Sequence, residues 1–247
     1  MKLLLDIGNT AVKWAEYSAG RMVSRGDFRH RDGVFSELAD AAWARLQAPA
    51  RIVVANVAGA VLQRSLSDWT RAHWGLQPDY FRATARACGV TNAYHVAADL
   101  GADRWAALVG AHRGHGVPVC IVDCGTALTV DVLSPAGAHL GGLILPGIAM
   151  LAECLVHNTV DIRKVTDLPP LSLLAQGTGE GVTSGATRMA VAALDHVVGE
   201  LVAGQGGNLE VVITGGDGAR ILPLLARPAR LEPDLVLQGL AKLSGEH

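Results

Sequence analysis

Lysine is scarce in this chain of 247 residues: only Lys2, Lys13, Lys164 and Lys242 occur, and no block of Lys and Arg forms anywhere. With a formal net charge of −2, that scarcity argues against nucleic acid as the main partner and against a polybasic membrane patch. Cysteine pairs are missing too. Cys88, Cys120, Cys124 and Cys154 make no C-x-x-C motif and no zinc-like spacing, and Cys120 and Cys124, four apart on an expected strand, read as buried apolar thiols. The nine histidines form no H-E-x-x-H; His112 and His115, around Arg113-Gly114 at an expected helix end, read as capping or solvated. Asp123, Asp131 and glycines interrupt every apolar stretch well short of the roughly 18 residues a membrane span needs. Met1-Lys2 leads straight into a strand with no signal-peptide core, so a soluble cytoplasmic protein is expected. Two nucleotide signatures are absent as well, G-x-x-x-x-G-K-[ST] and G-x-G-x-x-G. Any nucleotide must be held without a P-loop.

What is present is a repetition. Asp6-Ile7-Gly8-Asn9-Thr10 and Asp123-Cys124-Gly125-Thr126 lie 117 positions apart, each after an apolar run, Leu3 to Leu5 and Val119 to Val122, and each before further apolar residues. Both read as hairpins with polar turns. Gly8 and Gly125 allow close approach to the main chain. Turn amides and Thr hydroxyls can donate to phosphate oxygens, while Asp6 and Asp123 can face a metal ion or its water shell. Either copy alone reads equally as an ordinary turn. The matched pair favours two hairpins gripping a nucleotide's phosphates from both sides of a cleft.

The repeat divides the chain into similar halves, 1–115 and 116–247, and with half of the residues hydrophobic each can form a core without staples. Strands are expected near 2–8, 11–17 and 21–28, a helix from Val34 to Leu46, a buried strand from Arg51 to Val57, and a helix from Ala60 to Trp74 with Leu62, Leu66 and Trp69 on one side. The second half repeats the scheme. Its strands fall near 118–124, 127–133 and 138–145, with Ser134-Pro135-Ala136-Gly137 as a turn; helices follow from Gly147 to His157 and about Glu180 to Ala203, then a strand from Val211 to Thr214 and a helix from Leu235. Asp167-Leu168-Pro169-Pro170 reads as a surface loop.

Three further segments carry chemistry. Gly101-Ala102-Asp103-Arg104 opens a helix: the pair reads either as a helix-start carboxylate with a surface Arg or as a base that takes a hydroxyl proton beside a cation for an anionic group. Asp6 and Asp123 remain rivals for that base. Apolar residues on the helix between Asp99 and His112 read equally as interface or as core. Gly141-Gly142-Leu143-Ile144-Leu145-Pro146-Gly147 brings backbone close to a ligand or strand, and Thr214-Gly215-Gly216-Asp217-Gly218 suits a ribose or base edge.

In order, the Asp6 to Thr10 motif, Tyr94, Gly101 to Arg104, Asp123 to Ala127, Gly141-Gly142 with Pro146-Gly147, and Thr214-Gly215-Gly216 resemble type III pantothenate kinases over essentially the whole chain. The resemblance implies an α/β fold of two actin-like (ribonuclease H-like) halves, each a mixed five-stranded sheet with flanking helices, around a cleft. It implies ATP-dependent phosphorylation of pantothenate to 4'-phosphopantothenate, the first step of coenzyme A biosynthesis. Carried over residue by residue, Asp6, Ile7, Gly8, Asn9, Thr10, Ala11, Val12, Lys13 and Thr126 would bind ATP, and Asp103 would be the base. Tyr94, Gly101, Ala102, Asp103, Arg104 and Thr178 would bind pantothenate. Asp123 would hold a monovalent cation, K+ or NH4+, alongside Mg2+, and a homodimer would share active sites through Thr178. Gly179 and Gly181 stand where larger residues are usual, and no Leu-Pro follows His157-Asn158-Thr159-Val160, which leaves Thr183 as a substitute for Thr178. A kinase for another small alcohol, or a non-catalytic regulatory protein of the same fold, are the rival readings.

Overall fold

The computed structural model describes residues 1–114, 116–163 and 171–245; His115 and the expected loop at Asp167 to Pro170 lie outside them. In chain order, strands β1 (Lys2–Ile7), β2 (Ala11–Ser18) and β3 (Arg21–Arg29) precede α1 (Phe35–Trp43), β4 (Arg51–Asn56), α2 (Ala60–Trp74) and β5 (Asp79–Phe81). A small hairpin, β6 (Arg86–Ala87) and β7 (Val90–Thr91), leads to α3 (Ala102–Ala111). Then come β8 (Val119–Cys124), β9 (Ala127–Leu133), β10 (His139–Pro146), α4 (Ile148–Asn158) and α5 (Thr178–Gly204). The chain finishes with β11 (Glu210–Thr214), α6 (Gly218–Ile221), β12 (Arg230–Leu231) and α7 (Leu235–Leu243). It divides into two compact units: Met1–His115 with Pro135–Leu140 and Asp234–His247, and Gly116–Ser134 with Gly141–Pro233.

In the first unit the sheet order is β3-β2-β1-β4-β5. β1 runs antiparallel to β2 and parallel to β4, so it is central and both of its faces must be covered. That is why Leu3, Leu4 and Leu5 are all buried rather than alternating. Leu3, Leu5 and Ile7 join Phe35, Trp43, Ile52, Val54, Leu66 and Trp69 in one core. Leu62 packs partly against the same core, so the apolar face expected for α2 forms. α3 and α7 pack with β4 and β1, on the face to which period two turns Leu4 and Val53. Here two helices meet backbone to backbone: a Cβ on Gly239 would stand 1.8 Å from the Ala106 carbonyl oxygen, and one on Gly110 would stand 2.4 Å from that of Leu235. Lys242 closes the C-terminal end of α3, its Nζ donating to the carbonyls of Val109 (3.0 Å), Gly110 (3.0 Å) and His112 (2.8 Å). Burial pushes the Lys242 ammonium below its ordinary range.

The second unit repeats the topology as β10-β9-β8-β11-β12, with β8 antiparallel to β9 and parallel to β11. Cys120, Val122 and Cys124 turn one face of β8 into a core shared with Ala186, Ala190, Leu194 and Val198 of α5. Both cysteines are therefore the buried apolar thiols expected of them. Helix α5 begins at Thr178, two residues before the expected start, and the other long elements lie within about three residues of expectation. The short strands, β5, β6, β7 and β12, had no periodic stretch long enough to announce them, whereas α6 follows the Thr214 to Gly218 segment as that segment's place before a helix requires. Trp105 and Leu108 of α3 are fully buried, so that helix's apolar residues are core.

Candidate active site

The first polar turn joins β1 to β2. Ile7 and Val12 pair across it and are buried in the core, so their contribution to a ligand is confined to the main chain. Gly8, Asn9, Thr10 and Ala11 form the loop, closed by the Gly8 N–H donating to the Ala11 carbonyl at 3.0 Å. Asn9 is exposed at its tip. Asp6 and Lys13 are cross-strand partners, and Lys13 is in turn opposite Asp27 of β3, so the cation lies in register between two carboxylates. His30 was not expected here. Its Nε2 lies 3.0 Å from the Gly8 carbonyl oxygen, and since a carbonyl only accepts, the ring nitrogen donates and pins the loop.

Also within the first unit, α3 presents Asp103 in its first turn. Asp103 Oδ1 accepts the Arg104 N–H at 2.7 Å, at the positive end of the helix. A Cβ on Gly101 would stand 2.6 Å from that same oxygen, so the glycine leaves the carboxylate its place. Ala102 follows as the first helical residue. Arg104 is no surface residue: it is 6 % exposed and its Nη1 donates to the Tyr94 hydroxyl at 2.8 Å. Tyr94 is fixed in turn by Asn92, whose Oδ1 accepts the Tyr94 N–H at 2.9 Å. Tyr94, Gly101, Asp103 and Arg104 thus form one cluster, and of the two readings of the Asp-Arg pair the surface Arg is excluded.

In the second unit the turn between β8 and β9 is one residue shorter, Gly125 to Ala127, and closes through the Gly125 N–H to the Ala127 carbonyl at 3.1 Å. Asp123, one residue before the end of β8, is in register with Thr129 of β9 and Thr214 of β11. Two glycines press on this turn. Gly147 donates its N–H to the Thr126 carbonyl at 3.1 Å, and a Cβ there would meet that oxygen at 2.4 Å. Gly215 has φ +88°, and its Cβ would stand 2.4 Å from Asp123 Oδ1. The Asp217 N–H reaches the Cys124 carbonyl at 2.9 Å, while burial raises the Asp217 carboxyl above its usual range, opposed by Arg220. Burial, with Asp123 and Asp217 nearby, pushes the Cys124 thiol up to about 12. The Asp123 carboxylate and the Cys124 carbonyl thus both lie against Gly215, beside this turn. No group of three or more His, Cys, Asp or Glu side chains converges among the described residues, so a protein-only metal cage is not formed there.

A sequence profile of type III pantothenate kinases matches residues 2–200. A type III pantothenate kinase of Nitrosococcus oceani is 41% identical over 249 aligned residues, covering 99% of this chain and 94% of its own length. The chain belongs to the type III pantothenate kinase family. Another such kinase, from Halorhodospira halophila, is 38% identical and covers 97% of this chain and 96% of its own length. Among solved structures, a conserved candidate Baf family transcriptional activator from Campylobacter jejuni covers 98% of this chain and 97% of its own, with a TM-score of 0.60 and 20% identity, which speaks for the fold. The two five-stranded mixed sheets with flanking helices are the α/β, actin-like architecture of that family.

Of this kinase's two candidate cross-subunit threonines, Thr178 is exposed at the first position of α5, whereas Thr183 is buried and its carbonyl accepts the Thr187 hydroxyl at 2.8 Å. The structure also brings beside these clusters two residues that no motif announced. His30 lies outside the loop it pins, and His139, 4 % exposed, stacks on Tyr94. Neither histidine has a spacing signature. No helix among the described residues is long and apolar enough to cross a membrane.

Proposed function

We propose that this kinase transfers the γ-phosphoryl group of ATP to the terminal hydroxyl of pantothenate, with Asp103 as the general base. The observation that carries the reading is the cluster at the start of α3: a carboxylate oriented by the Arg104 N–H, beside a buried guanidinium bonded to Tyr94. As the substrate oxygen attacks phosphorus, Asp103 takes its proton, and the P–O bond to ADP breaks with the electron pair leaving on ADP. Arg104 and Tyr94, with Gly101 and Ala102, orient pantothenate. A carboxylate-bearing substrate suits a cation that is desolvated and already held in one geometry.

Asp6 to Lys13 and Thr126 supply the ATP-binding groups. Lys13 is the only lysine in either turn, so main-chain amides and bound cations supply most of the positive charge. The Asp123 carboxylate and the Cys124 carbonyl beside Gly215 fit K+ or NH4+, since they are hard oxygen donors and a side chain at Gly215 would fill the space next to Oδ1. Mg2+ would be held largely through the nucleotide's phosphates, and when bound the two cations would supply positive charge to offset that building on the phosphoryl oxygens. A homodimer with a shared site is favoured by exposed Thr178 and by apolar residues left open on β10, α4 and α5, namely Leu143, Ile144, Met150, Leu155 and Met189. Cytoplasmic action follows from the soluble substrates of such a reaction.

ADP release from purified protein with ATP, Mg2+ and pantothenate, in potassium and then in sodium, tests this directly. Turnover that requires pantothenate and rises with potassium is the expected result; turnover with a different alcohol alone would replace the substrate, and none with any alcohol would remove the activity. Asp103→Asn should lower kcat by about a hundredfold or more while ATP binding by calorimetry stays near wild type. Normal kcat in that variant would exclude Asp103 as the base.

A further inference from the structure

His139 is one of the most deeply buried titratable groups in the first unit, and no step of the proposed reaction uses it. It enters on the segment Pro135–Leu140, which is laced to the stretch after β7. The Thr91 N–H donates to the Gly137 carbonyl at 2.8 Å, and Thr91 and Ala138 form a parallel bridge. Gly137, at φ +83°, lies so close to the β6–β7 turn that a Cβ would stand 2.1 Å from the Gly89 carbonyl oxygen. Two residues beyond Gly137, this lacing delivers an imidazole onto the Tyr94 ring. The ring centroids are 6.1 Å apart with planes 17° from parallel, and His139 Nδ1 accepts the Ala93 N–H at 3.4 Å. An Nδ1 that accepts leaves the neutral ring's proton on Nε2.

Tyr94 is therefore held at three points: its N–H by Asn92, its ring by His139 and its hydroxyl by Arg104 Nη1. The Arg104 guanidinium carbon is 5.5 Å from the centre of the same ring. A tyrosine ring with one face unsupported can swing about its χ angles, and its hydroxyl would move with it. Stacking thus fixes the atom that orients the cation.

We infer that His139 is a positioning residue of the substrate pocket: it holds the Tyr94 ring where the tyrosine hydroxyl orients Arg104 toward the carboxylate of pantothenate. The inference rests on the assignment of Tyr94 and Arg104 to pantothenate under the proposed function. In this role His139 acts through Tyr94 and not on the substrate directly. Its loss acts on binding of one substrate through its neighbour.

The test combines pantothenate KM, ATP KM and kcat with calorimetric binding of pantothenate. His139→Ala should weaken pantothenate by about tenfold in KM and in Kd, the size of one lost aromatic stack, with ATP KM and kcat within about twofold. His139→Phe, which keeps the stack and loses the Nδ1 acceptor, should recover most of that loss. On a Tyr94→Leu background His139→Ala should add little, because the ring it supports is gone. A purely structural role would instead lower the active fraction and the melting temperature together, affect both substrates alike, and add independently of Tyr94. Unchanged pantothenate KM in His139→Ala, or full additivity with Tyr94→Leu, overturns the inference. Arg104→Gln separates the two levels. If it raises pantothenate KM while His139→Ala does not, only the role of His139 fails; if it leaves pantothenate binding untouched, the pocket assignment falls and the inference falls with it.

Discussion

Asp103 owes its orientation to a residue that has no side chain. Gly101 has φ −54° and ψ 140°, a conformation alanine adopts without strain, so nothing in the backbone demands glycine there. The demand comes from Asp103 Oδ1, 2.6 Å from where a Cβ would stand. The far end of a short side chain yields easily, so Gly101→Ala should leave the melting temperature within a few degrees while the carboxylate rotates off the Arg104 N–H. Displacing a catalytic group by about an ångström costs roughly a hundredfold, and we expect kcat to fall by about ten- to a hundredfold. A variant with full activity would show that this orientation is not required. The Asp-Arg pair itself was legible in the sequence, because it stands directly after Gly101-Ala102 where an apolar helical stretch begins. Whether Arg104 faces water or the interior was not, since its burial depends on Tyr94, ten positions earlier, and on packing that no local pattern encodes. His30 and His139 were illegible for the same reason: each reaches its partner across the fold.

At the scale of elements, the long strands and helices announced themselves by period, and the polar turns by Asp and Gly at strand ends. What escaped was how closely two helices approach. The stretch from Leu235 reads simply as a helix, yet Gly239 is the point at which it touches the backbone of α3. That contact supports the helix whose first turn carries Asp103. Because a Cβ at Gly239 would stand 1.8 Å from a main-chain oxygen, relief requires one helix to shift bodily. Gly239→Ala should therefore destabilise by at least about 2 kcal/mol, at the upper end of overpacking costs, and lower the melting temperature by roughly 5 °C or more. Its mark is the reverse of Gly101→Ala: stability falls first, and the activity of the protein still folded at low temperature falls less. Calorimetric scans beside kcat at 15 °C would separate the two glycines. An unchanged melting temperature for Gly239→Ala would contradict the close crossing.

Over the whole molecule, one strand topology appears twice, and it was readable because both copies end their central strand in the same polar turn. The copies differ in what buries that strand. β1 turns leucine and isoleucine into its core, whereas β8 turns two thiols, Cys120 and Cys124, in the same structural role. Burial pushes both thiols up to about 12, with Asp131 assisting at Cys120 and Asp123 and Asp217 at Cys124. In the unfolded chain a thiol titrates near about 8.5. Between that value and about 12 the unfolded chain gives up protons that the folded one keeps, so stability is fully present below the window and declines as pH rises through it. The melting temperature should drop from pH 8.5 to 10.5, and less steeply once Cys120 is replaced by Ala. At pH 8, a thiol reagent should label the exposed Cys88 and Cys154 within minutes and reach Cys120 and Cys124 only in denaturant. Rapid labelling of all four cysteines in the native protein would mean that the second sheet opens to solvent, and the buried strand that carries Asp123 could not then be a fixed platform for a cation.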